Sequence, residues 1–146
     1  AGSAGMIAGQ IIDLESEHAS ISFEELCRMH RLKTGALIRA SILSAARLCR
    51  ADQKIWEALD RYGQYIGLAF QIKDDLLDYE GDAEVIGKST GSDEKNHKST
   101  YVTLLGIKKA KELLKETVEE AVKVLKDLQS ADFLIKTAAY IAERER

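Results

Sequence analysis

No proline occurs among the 146 residues of this chain, and its two cysteines are too few to staple a fold. Lack of proline disfavours a domain built on many sharp loops. With abundant Ala, Leu, Ile, Lys and Glu, the composition points to an all-α chain. Cys27 and Cys49 lie too far apart in sequence for a redox or zinc pair, and no second cluster joins them. A reduced, cytoplasmic setting and buried packing are therefore expected for both. Charge of one sign is also lacking: 21 basic against 24 acidic residues give -3, which offers no reason to expect nucleic-acid binding. No apolar run approaches the ~20 residues of a membrane span, so stable membrane insertion is not expected. No basic stretch precedes the opening AGSAGMIAGQ, so no signal peptide is expected either. That small, apolar opening has the look of a segment cut from something longer, or of a fused remnant. The length suits one core of ordinary domain size.

What is present is helical periodicity. Ala8 and Gly9 among Met6, Ile7, Ile11 and Ile12 predict a closely packed helix over about 4–14, with Gln10 and Asp13 as polar exceptions. Ser22 and Glu25 form a capping-box start for a helix carrying Phe23, Leu26, Cys27, Met29 and His30. Gly35 loosens the pattern, which resumes through Leu37, Ile38, Ser41, Ile42, Ala45 and Leu48. Asp52 is placed to cap a helix running through Trp56, Tyr62, Ile66 and Phe70 into an acidic cluster. Between Glu80 and Ser99 the period is lost, and Gly81, Gly87 and Gly91 predict a long loop. Ile107 to Leu128 is the most regular amphipathic segment, and a last helix starts near Ala131. With no internal repeat and no linker, the chain reads as one helical unit.

Three clusters could carry chemistry. The first is GLAFQIKDDLLDYEGD, in which Gln71, Asp74 and Asp78 share one helical stripe. Asp75 is turned by about 100° from Asp74. Leu76 and Leu77 can then pack inward while the carboxylates face a cavity or water. Hard oxygen ligands at this spacing suit Mg²⁺, which takes one or two carboxylates plus substrate phosphates; a solvated acidic helix end is the plainer alternative. The second is IGKST, which fails as a P-loop because Asp82 stands where glycine is required. It leaves a loop with Lys88 and Lys98 able to fold over an anion, or simply solvated. The third is RMHRLKTGALIR, where Lys33 and Thr34 could meet a phosphate, or form part of a basic face paired with Glu24 or Glu25. His18 and His97 read as solvated, and the three histidines have no metal-ligand spacing.

In order along the chain, GMIAGQIID, KTGALI, GLAFQIKDDLLDYEGD, GKSTGSD and KSTYVTLLG resemble the trans-isoprenyl diphosphate synthases. The likeness is strongest to the bacterial farnesyl and geranylgeranyl enzymes, with DDLLD similar to their second aspartate-rich motif. This resemblance implies the C-terminal half of an isoprenoid-synthase-type helical bundle, residues 1–146 being part of a single domain whose N-terminal half is absent. It implies Mg²⁺ as cofactor, held by Asp74 and Asp78 with Asp75 in the outer shell. Lys33 and Lys88 would clamp the allylic diphosphate, and Thr34 and Gln71 would line the site of the developing cation. Lys98, Tyr101, Gln10 and Asp13 match family positions of less defined role. The implied reaction condenses an allylic diphosphate with isopentenyl diphosphate, farnesyl diphosphate being the expected product and a homodimer the expected assembly. A terpene cyclase or a non-catalytic subunit of a heteromeric synthase are the alternatives, and the chain alone is expected to be inactive. Ala8 stands where the family commonly has glycine, as does His97.

Overall fold

A computed structural model describes residues 2–17, 19–86 and 99–145, with residues 82–86 as backbone only. Every regular element among the described residues is helical. The elements are α1 (Met6–Glu15), α2 (Phe23–His30), a π-helical turn (Arg31–Gly35), α3 (Ala36–Leu48), α4 (Gln53–Ile86), α5 (Tyr101–Leu105), α6 (Ile107–Lys123) and α7 (Asp132–Glu143).

Local signals fix several helix starts. Ser22 Oγ accepts the Glu25 N–H while Glu25 Oε2 accepts the Ser22 N–H at 2.9 Å, closing the expected capping box. Asp52 Oδ1 accepts the Ile55 N–H at 2.8 Å at the head of α4. Thr100 and Thr103 form a second reciprocal box that starts α5, an element the sequence pattern did not separate. Gly106 joins α5 to α6 at φ +80°, a conformation that side chains resist.

At 34 residues, roughly 50 Å long, α4 is the spine. The π turn and α2, α3, α5, α6 and α7 all pack against it, while α1 rests on the π turn and α2. Tyr62, Ile66, Ala69, Ile72 and Leu76 of α4 meet Leu26, Met29, Tyr101, Leu114 and Leu125 in one core. Complete burial of each such aliphatic side chain stabilises by about 1.5–3 kcal/mol. The Tyr62 hydroxyl donates to the Leu134 carbonyl at 2.8 Å, tying α7 to the spine, and burial pushes its phenol up to about 12.

Two expectations are corrected. α4 does not end near Glu80 but continues to Ile86, so the predicted loop is shorter at its start. No proline interrupts it, Gly81 faces open space, and Glu80 pairs with Lys111 of α6 at 2.7 Å. Each added residue then extends an existing hydrogen-bond ladder. Cys49 is exposed rather than packed, because it lies in the turn beyond Ala46, the last buried residue of α3; Cys27 is half-buried. Residues 87–98, which hold Lys88, His97, Lys98 and the GKSTGSD motif, lie outside the described residues, as does His18.

The closely packed helix predicted over 4–14 forms, with Gly9 against the Lys33 backbone and Ile12 packed partly on the core, but with much of its apolar surface outward. α1 buries Gly9 and Asp13 and leaves Ile7, Ile11 and Leu14 at 49, 49 and 56% exposure. α3 likewise leaves Leu37 and Leu48 exposed.

Candidate functional site

Backbones meet where α1, the π turn and α4 cross. A Cβ on Gly9 would run into the backbone nitrogen of Lys33, and one on Gly67 would lie 2.9 Å from the Gly35 Cα. Glycines at these positions let three elements touch without side chains between them. The looseness that Gly35 suggested takes the form of a π turn, a device frequent at functional sites. It directs two consecutive side chains to different neighbours. Lys33 Nζ donates to Asp13 Oδ2 of α1 at 2.5 Å, and Thr34 Oγ1 donates to Gln71 Oε1 of α4 at 2.9 Å. Lys33 stays about a third exposed, so its remaining N–H donors can reach an anion. Glu25 is engaged in its capping box, where its bonds to Ser22 hold its carboxyl below the ordinary range.

One turn along α4 lie the carboxylates, and the structure gives each a separate environment. Asp78 is exposed. Asp74 is ion-paired with Arg144, which follows α7. The Arg144 guanidinium also donates to the Phe70 carbonyl at 3.3 Å and lies 4.3 Å from the Phe70 ring centroid. Asp75 is buried rather than facing a cavity or water, and Leu77, expected to pack inward, is only half-buried. Asp75 Oδ2 accepts the Tyr101 N–H at 2.8 Å, and Gln71, one turn earlier on α4, is near enough to favour its charged form. Burial pushes the Asp75 carboxyl up to about 6, opposed by the Tyr101 N–H and the Gln71 side chain; the charges of Asp78 and Asp74 add to the rise.

Among the described residues no three His, Cys, Asp or Glu side chains converge as a ready metal cage. Asp74 and Asp78 lie four residues apart on one helix; Asp78 is exposed, and Asp74, with Oδ1 on Arg144, has Oδ2 as its second hard oxygen donor. That donor set fits Mg²⁺ completed by water and phosphate rather than an all-protein site. Beside the π turn, a cavity of about 740 Å³ is lined by Gly5, Cys27, Arg31, Arg39, Tyr65 and Leu68, among others.

Sequence reasoning missed Arg144, because its contact with Asp74 spans 70 residues. Its only local signal was a cation just after an apolar helix. It also named Asp13 without its partner, Lys33.

The Polyprenyl synthetase family profile matches residues 2–138. This chain belongs to that family. It is 47% identical over 146 residues to the farnesyl diphosphate synthase of Micrococcus luteus, covering 99% of this chain and 50% of that one. The structure of an FPP/GFPP synthase from Zymomonas mobilis superposes with a TM-score of 0.81 at 36% identity, over 96% of this chain and 46% of that one. A geranyltransferase from Helicobacter pylori, complexed with magnesium and isoprenyl diphosphate, gives 0.73 at 29% identity over 97% and 48%. The polyprenyl synthetase chain thus spans about half the length of the relatives it matches. Its helical-bundle fold is theirs, as expected. No helix among the described residues is long and apolar enough to cross a membrane.

Proposed function

We propose that this chain is the C-terminal half of a single α-helical prenyl synthase domain that joins an allylic diphosphate to isopentenyl diphosphate in the cytoplasm, giving farnesyl diphosphate. One observation carries the reading: Thr34 and Gln71, 37 positions apart, share a hydrogen bond one turn from the Asp74–Asp78 stripe, with Lys33 beside them. Cation-stabilising oxygens, carboxylates and an ammonium group are what ionisation of an allylic diphosphate requires. The resemblance of the motifs and the magnesium and isoprenyl diphosphate held by the Helicobacter pylori relative support it.

Asp74 and Asp78 are the residues to hold Mg²⁺, with Asp75 behind them. When bound, Mg²⁺ supplies positive charge against the departing diphosphate. Lys33, steered by Asp13, binds the same diphosphate from the π turn, with Lys88 and Lys98 as further candidates. The C–O bond breaks with its electron pair on oxygen, and Thr34 and Gln71 present oxygens to the allylic cation left behind. That cation alkylates the double bond of isopentenyl diphosphate, and loss of a proton to the departed diphosphate restores an alkene. Apolar helix faces keep water from the cation.

The outward apolar side chains of α1 and the half-length match have a common account. The N-terminal half of the domain covers Ile7, Ile11 and Leu14, supplies the opposite wall of the site, and complete domains pair as a homodimer. Mixing this chain with its upstream half should give Mg²⁺-dependent condensation, whereas the chain alone should give none. Turnover by the chain alone overturns the half-domain reading; no turnover by a folded complex of both halves overturns prenyl transfer.

A further inference from the structure

The three carboxylates of DDLLD are not equivalent, and Asp75 does something the other two do not. Its buried Oδ2 accepts the Tyr101 N–H at 2.8 Å, and Gln71 stands one turn earlier on the same side of α4, near enough to act on the carboxyl. A carboxylate only accepts hydrogen bonds, so Gln71 can meet it only through its NH₂ end. The amide is planar, and its carbonyl end is thereby directed the other way, where Oε1 accepts the Thr34 hydroxyl at 2.9 Å. Oε1 can only accept as well, so Thr34 must spend its one proton on Gln71 and keep its free lone pairs outward.

We propose that Asp75 is a positioning residue rather than a metal ligand. It fixes the direction of a hydrogen-bond chain running Tyr101–Asp75–Gln71–Thr34, so that two oxygens, and no N–H, face the developing cation. The inference rests on the prenyl-transfer reading for its consequence, but the Tyr101–Asp75 and Thr34–Gln71 hydrogen bonds stand without it. Without the carboxylate, the Gln71 amide can turn over. Its NH₂ would then face Thr34, the hydroxyl would accept rather than donate, and positive ends of dipoles would replace negative ones at the cation. The same carboxylate holds the first residue of α5, so the spine and the head of that helix are set by one group.

Asp75→Asn tests this with little change of shape. The new side chain can still accept from Tyr101, but its own NH₂ can meet Gln71 Oε1, so the amide is no longer directed. In the full-length protein carrying both halves, kcat should fall by about 10- to 100-fold, the loss expected from a small misplacement of reacting groups. KM for both substrates and the Mg²⁺ half-saturation should stay within about threefold, as expected when an interaction made only in the transition state is lost. A Mg²⁺ half-saturation that rises along with the loss of kcat overturns the proposal in favour of a ligand. In this chain itself, the Thr34→Val and Asp75→Asn effects on denaturation should be non-additive, because Gln71 links residues that do not touch; additive effects overturn it. The parent chain gives a third readout: the two Gln71 side-chain amide protons should be resolved and slow to exchange in NMR spectra. Solvent-like, rapidly exchanging amide protons overturn the chain of hydrogen bonds. If the parent full-length protein shows no prenyl transfer, the functional reading fails, while the last two measurements still decide the role of Asp75.

Discussion

α1 and α6 are both laid on the rest of the bundle, and they are built on opposite plans. α6 turns Ala110, Leu114, Thr117 and Ala121 inward and surrounds them with lysines and glutamates outside, as a helix does when one side meets a core and the other meets water. α1 turns a glycine and an aspartate inward and three large aliphatic side chains outward. α6 is held by apolar burial. α1 is held by a backbone contact at Gly9, the Asp13–Lys33 ion pair and the half-buried Ile12, and its other large aliphatic side chains stay exposed. An outward apolar side suits a helix that another body covers, and the half-domain proposal supplies one for a chain that spans half the length of its relatives.

The contrast can be broken most severely at Gly9. Gly9→Ala should cost about 3 kcal/mol or more in urea denaturation, because the new methyl meets backbone that cannot rotate away. Gly81→Ala, in open space on α4, should instead gain up to about 1 kcal/mol from helix propensity. A mild Gly9→Ala effect would mean that α1 does not press on the π turn. Next in size, Leu114→Ala in α6 should destabilise this chain by about 2–5 kcal/mol. Ile11→Ala in α1 should change it by no more than about 0.5 kcal/mol, yet weaken binding of the upstream half. Equal losses from Leu114→Ala and Ile11→Ala would erase the distinction.

The smallest effect concerns α3, which shares the outward apolar habit of α1 and is tied to α4 by Arg39–Asp60. The hydrogen bond from Arg39 holds the Asp60 carboxyl below its ordinary range, opposed by partial burial. A depressed carboxyl stabilises the fold above its unfolded pKa, and that contribution is lost as pH falls through the folded value. Arg39→Gln should therefore remove no more than about 1 kcal/mol at neutral pH, with the two stability curves converging in acid. Parallel curves would show that the pair contributes nothing through titration.

Elements defined by neighbours in sequence were legible: the Ser22 and Asp52 caps, the α6 stripe and the start of α7. The DDLLD stripe was legible too, since a helix fixes the relative directions of residues three and seven apart. Contacts across the chain were not legible. Nothing near Asp75 announces that Tyr101 will donate to it, and nothing near Asp74 announces Arg144. The extent of α4 past Glu80 escaped because polar residues and glycine lower helix propensity without forbidding a helix. Gly35 signalled a departure from regularity, but the kind of departure depends on α1 and α4 pressing from both sides.

The glycine contacts carry a mechanical consequence. Side chains between two helices act as a cushion, because rotamers adjust when one helix shifts. Gly9 against Lys33, and Gly35 against Gly67, leave no such cushion. A displacement of α1 by whatever covers its outer face must pass through the π turn to the spine undamped, like motion through a joint without play.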